Sequence, residues 1–112
     1  MELMFEFRSG LRSRGAHYVT GFRDTECRPI LEIRPIIAAQ GGPTIITMSP
    51  PTPAHCRAGN VLVRDWGECR GIMRSLIDAG VLGEPIGHRE VGVRVAHECP
   101  LLRNDIIREA AA

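Results

Sequence analysis

The stretch from Asn60 to Pro85, NVLVRDWGECRGIMRSLIDAGVLGEP, most constrains what this chain can become, because strand, cap, amphipathic run and stop signal follow one another within it. Val61, Leu62 and Val63 form a short apolar run of the kind buried within a sheet. Asp65 offers a carboxylate to the free amides of a helix start, and Glu68, three positions on, has the spacing of a capping box. A helix is therefore expected from near Trp66. Cys69, Ile72, Met73, Leu76, Ile77 and Gly80 gather along one stripe at the three-and-four spacing, with Arg70, Arg74, Ser75 and Asp78 largely off it. Gly80 stands where a left-handed residue would close the helix, Val81 can fold back on Leu76 or Ile77 as in a Schellman ending, and Pro85 bars resumption.

Before this stretch the chain alternates like a sheet. Met4 to Arg8 and His17 to Phe22 read as two strands of a hairpin around the polar turn Ser9 to Gly15, Ile30 to Arg34 as a third strand, and Thr44 to Met48 as a fourth after the Gln40–Pro43 turn. Ser49 to Pro53 holds three prolines in four positions and so is expected to be a stiff connector. After the helix, Glu90 to His97 reads as a last strand with Val91, Val93 and Val95 on one face. Leu101 to Ala111 has the pattern of a short terminal helix, against which stand Asn104-Asp105 and the alanine tail. The expected fold is α+β, a single mainly antiparallel sheet of five or six strands with one main amphipathic helix packed on one face. The expected organisation is one domain over residues 1–100, followed by a C-terminal tail, 101–112, that is a short helix or disordered.

Composition narrows the function classes. At 112 residues the chain suits one domain with a modest core. All 14 basic residues are Arg, and the net charge of +1 provides no strong global field for nucleic acid or anionic membrane, although local patches remain open. No run approaches the roughly twenty apolar residues of a membrane span, and MELMFEF lacks the order of a signal peptide, so a cytoplasmic location with no membrane partner is expected. Cys27, Cys56, Cys69 and Cys99 are widely spaced and are read as free thiols of a reducing compartment.

The residues Arg64, Asp65, Trp66, Gly67, Glu68, Gly71, Leu76, Ala79 and Gly80 resemble a recurring pattern in small bacterial and mobile-element proteins: a basic residue, Asp, an aromatic, a small residue, Glu, then Gly and an amphipathic run ending in Ala-Gly-aliphatic. Cys69 departs from the pattern by standing where Asn is usual. The resemblance covers under a fifth of the chain, carries no catalytic residue, and implies the shape of a strand-cap-helix unit and a phage or mobile-element origin.

Three chemistries are weighed on the remaining residues. His55-Cys56 and His97-Glu98-Cys99 supply zinc ligand types but not the two-to-four-residue gaps of a structural knuckle, so no metal site is expected. Cys69 near a helix start is the best placed nucleophile, yet it falls on the apolar stripe where Cys serves as a small core hydrophobe. No Ser elbow, phosphate-cradling loop or dinucleotide fingerprint follows a strand, so neither a catalytic residue nor a cofactor is expected. The chain is read as non-enzymatic. Its favoured role is a small protein-binding or dimerising module, with Val91, Val93 and Val95 as the interface and a homodimer or an unidentified protein as partner. The alternative is nucleic-acid binding through an Arg-rich hairpin carrying Arg8, Arg12, Arg14 and Arg23.

Overall fold

The computed structural model describes residues 1–49 and 56–108. Strands β1 (Leu3–Ser9), β2 (Arg12–Arg23), β3 (Pro29–Pro35) and β4 (Thr44–Ile45) form an antiparallel sheet in that order. A second antiparallel sheet runs β5-β6-β8-β7, from β5 (Thr47–Met48), β6 (Asn60–Val63), β7 (Gly87–Val91) and β8 (Arg94–Pro100). One short helix, α1 (Ile72–Asp78), lies between β6 and β7 in the chain. The expected single sheet of five or six strands is thus corrected to two sheets of four strands each among the described residues.

The correction turns on Ile46. Thr44 to Met48 has the pattern of one strand, but the chain changes partners within it: Thr44 and Ile45 pair with β3, whereas Thr47 and Met48 pair with β6. Ile46 itself is fully buried; its N–H donates to Leu31 O at 3.0 Å, and its carbonyl accepts from Arg64 N–H at 2.8 Å. Alternation along a strand says which side chains share a face and nothing about which neighbour the backbone pairs with. Phe5, Phe7, Val19, Leu31 and Ile33 from the first sheet meet Val61, Val63 and Cys99 from the second in one core, closed by Ile72 and Leu76 of α1.

The helix starts later than its cap. Gly67 and Gly71 are both left-handed, at φ 59° and 93°, so the segment after Asp65 makes a 3-10 turn at Gly67–Cys69 before α1 begins. Asp65 still caps: its two carboxylate oxygens accept from the Gly71 and Met73 amides at 2.9 and 2.8 Å, reaching over the turn. The C-terminal end follows the sequence pattern. Gly80 is left-handed at φ 77°, its N–H donates to Ile77 O at 3.0 Å, and Val81 N–H donates to Leu76 O at 2.9 Å, the paired bonds of a Schellman ending.

Helix α1 also protects a sheet edge. Ser75 Oγ accepts from the outward Arg8 N–H of β1 at 2.9 Å, so this edge is covered by the helix instead of being open to another chain. One further expectation is corrected here. Glu90 to His97 is not one strand: Gly92, at φ 62°, turns the chain with Val93, and Val91 pairs with Arg94 across that turn. Residues 101–108 pack against the sheets. Leu101, Ile106 and Ile107 are buried, only a 3-10 turn forms at Asn104–Ile106, and Arg108 N–H donates to Gly21 O at 2.7 Å. Gly21 is the reason this packing fits, since a Cβ there would lie 2.5 Å from the Ile107 Cδ1. The expected Ser49–Pro53 connector, after Ser49, lies outside the described residues, as do residues 109–112.

Candidate nucleic-acid interface

The segment Arg64 to Arg70 leaves β6 at the end of the second sheet. Because Asp65 is tied to the Gly71 and Met73 amides, the residues between are folded into a compact turn, with Cys69 N–H donating to Trp66 O at 3.0 Å and Arg70 N–H to Gly67 O at 3.2 Å. Trp66, the only tryptophan, is extended and packs on the cluster of Cys56, Leu62 and Ala96 on the outer face of that sheet. The Arg64 guanidinium stands over its ring, 5.7 Å from the centroid, which holds the cation in place by cation–π attraction. Arg70 and Arg94 border a broad open depression with Asp65, Trp66 and Gly67.

The β1–β2 hairpin brings two further arginines to this surface. Its turn is only Gly10–Leu11, so Arg12 and Arg14 belong to β2 itself. Between the Glu6–Ala16 and Arg8–Ser13 pairs, Phe7 faces both Arg14 and Gly15; with Gly15 left-handed at φ 90° this is a bulge, which redirects side chains. Arg14 lies over the Phe7 ring at 4.5 Å and donates to the Glu68 carbonyl. Arg12 pairs with Ser9, and Ser9 Oγ donates to the Arg70 carbonyl at 2.6 Å.

Charge pairing is uneven. Among the described residues, ion pairs join Arg8 to Glu6, Arg34 to Glu2, Arg74 to Glu84 and Arg103 to Asp105. The other ten arginines form none among these residues; five of them, Arg12, Arg14, Arg64, Arg70 and Arg94, are grouped about the turn at Asp65, whose two oxygens are both engaged by amides. Glu68 is the one other acid on the turn, and it is exposed.

The four arginines grouped by sequence therefore separate. Arg8 pairs with Glu6, whose carboxyl is held low by the Ser13 hydroxyl and then by Arg8. Arg23 lies at the opposite end of β2, donating to Cys27 O at 3.0 Å. Arg12 and Arg14 lie beside the Asp65 turn, where Arg64, Arg70 and Arg94, which no local pattern grouped with them, are also found. The valines separate as well: Val91 is half-buried in β7 beside the Leu62 cluster, Val93 is 97% exposed at the turn, and Val95 is in β8.

The thiols are mostly core residues. Cys56, Cys69 and Cys99 are buried, and burial pushes each thiol upward, Cys99 to about 11. For Cys69 this outweighs Arg64 and Arg14, so it is protonated at neutral pH. No group of three or more His, Cys, Asp or Glu side chains converges on a metal position among the described residues. His55 lies outside those residues, Cys56 packs in the outer cluster, and Cys99 in the main core. Sequence reasoning missed His17, which is buried against Phe7, holds the Gly15 carbonyl through Nδ1 at 3.0 Å, and lines a cleft of about 150 Å³ with Arg14 and Cys69. Its place inside the Phe5–Val19 apolar alternation was the available signal. No helix among the described residues is long and apolar enough to cross a membrane.

No protein-family model matches this chain, and neither does any curated protein or solved structure.

Proposed function

We propose that this protein binds nucleic acid through its phosphate backbone, on the surface formed by Arg12, Arg14, Arg64, Arg70 and Arg94 around Trp66. The observation that carries the reading is the gathering of these arginines about the Asp65 turn, through Arg64 on Trp66, Arg14 on the Glu68 carbonyl, Ser9 on the Arg70 carbonyl and the depression shared by Arg70 and Arg94, where among the described residues none has a carboxylate partner and both Asp65 oxygens are taken by amides. Guanidinium groups donate in a planar fork that suits phosphate oxygens, and those held on Trp66 and Phe7 lose less freedom on binding. A small net charge does not oppose this, because what a phosphate meets within a Debye length of about 8 Å is the local set. Such contacts position a strand without reading its bases.

Anisotropy of a labelled single strand and a labelled duplex, measured over a salt series, tests the reading. Binding should weaken steeply with salt, and Arg70→Ala with Arg94→Ala should lower the salt slope by about 2. The intrinsic fluorescence of Trp66 should change in parallel. Binding absent at low salt for both probes would remove the proposal.

Self-association is a second reading, favoured by β7. Among the described residues that strand pairs with β8 alone, which leaves its outer backbone edge as a place for a second copy of the chain. Light scattering after size exclusion distinguishes a dimer from a monomer, and a monomer at high micromolar concentration ends this reading.

A further inference from the structure

We propose that His88 and His97 form a two-histidine chelating site for an imidazole-preferring divalent metal ion of the zinc, nickel and copper group. The two residues are directly opposed across the β7–β8 ladder. Val91 and Arg94 flank a two-residue turn, and the pair that closes such a turn is hydrogen-bonded. Pairs alternate from there, so Glu90–Val95 is open, Arg89–Ala96 is bonded and His88–His97 is open. Open pairs have the closest side chains, with Cβ atoms roughly 4.5–5.5 Å apart, and both imidazoles project on the same face. That spacing lets two ring nitrogens approach one ion at about 2.0–2.1 Å each.

The surroundings suit a cation. Arg89 and Arg94 alternate to the opposite face, with Ala96 and the outer cluster, whereas Glu90 shares the histidine face. His97 sits on β8, which is fixed by β6 on one side and β7 on the other, with buried Val63 directly opposite it. Its backbone is therefore held before any ion arrives, while His88 on the edge strand is exposed and keeps the site accessible. Two protein ligands leave the remaining positions to water or another ligand, which makes this an exchangeable site, unlike the closed tetrahedral set that the sequence excluded. Arg94 and Trp66 lie on the opposite face of this sheet, and Arg12 and Arg14 belong to the other sheet, so the two proposals stand separately.

The test uses chelator-stripped full chain carrying Cys27→Ser, which removes the exposed thiol as a competing ligand. Calorimetric titration with Ni²⁺ or Zn²⁺ alone should give one ion per chain, and Mg²⁺ should give none because it prefers oxygen ligands. His88→Ala and His97→Ala should each weaken binding by about tenfold or more, and Arg89→Ala should leave it unchanged. His88 is exposed, so loss of binding in its variant, with the circular dichroism spectrum intact, cannot arise from unfolding; His97→Gln supplies the matching shape-preserving change. Binding that persists undiminished in either histidine variant, or no binding of Ni²⁺ and Zn²⁺ at millimolar concentration, would overturn the proposal.

Discussion

Gly71 lies against Arg8 with no room for a side chain: a Cβ there would stand 2.0 Å from the Arg8 carbonyl oxygen and 2.9 Å from the Ser9 Cα. The two clashing groups are backbone, and Gly71 is left-handed as well, at φ 93°. Gly71→Ala should therefore cost at least about 3 kcal/mol. Gly80→Ala, at φ 77° with open space around it, should cost only about 1–2 kcal/mol. Urea denaturation of both variants checks the ranking, and equal losses would contradict this packing of α1 on β1.

Asp65 joins two amides that the α1 start would otherwise leave bare. Its replacement by Ala should cost about 2 kcal/mol, the upper end for a cap, because both bonds are charge-assisted. Arg74→Ala removes an exposed pair with Glu84 and should leave the denaturation midpoint in place. Similar shifts for both variants would count against Asp65 as the cap.

Thiol chemistry should divide the cysteines. One thiol per native chain, Cys27, should react quickly with a disulfide reagent, and four after unfolding. Because Cys99 is raised in the folded state to about 11 from an ordinary 9, its burial contributes fully below pH 9. That contribution is lost as pH climbs from 9 through 11, so stability should fall there, and less steeply in Cys99→Ala. A second fast native thiol would contradict the burial of Cys56, Cys69 or Cys99.

The last described segment should be needed for stability. Ile106 is fully buried and Ile107 fills the space over Gly21. Ile106→Ala should cost about 2–5 kcal/mol, and removal of residues 103–112 should lower the melting temperature sharply. An unchanged melting temperature would return this segment to the status of a tail.

What was legible in the sequence was local. The pairing of β1 with β2, β3 and the Schellman end of α1 each depend on residues a few positions apart and were legible, although β2 starts at Arg12 and not at His17, because the polar run 12–15 is part of the strand and its bulge. The start of α1 was misplaced because Gly71 answers to Arg8, more than sixty residues away, and not to helix periodicity. Gly92 was the overlooked sign of the β7–β8 turn: valines on either side carry the alternation through it, yet an isolated Gly within a strand pattern often marks a break. The arginine surface was half legible. Arg12 and Arg14 are neighbours in the chain, whereas Arg64, Arg70 and Arg94 meet them only after two sheets, a bulge and the Asp65-tied turn have formed.

Ile46 has a consequence for how the molecule comes apart. Its amide is committed to Leu31 in one ladder and its carbonyl to Arg64 beside the other, through a residue that water does not reach. Opening either ladder at this point disturbs the other, so the two sheets should unfold as a single cooperative unit. The amide protons of Ile46 and Arg64 should accordingly be among the last to exchange with solvent, at a common rate set by loss of the whole fold.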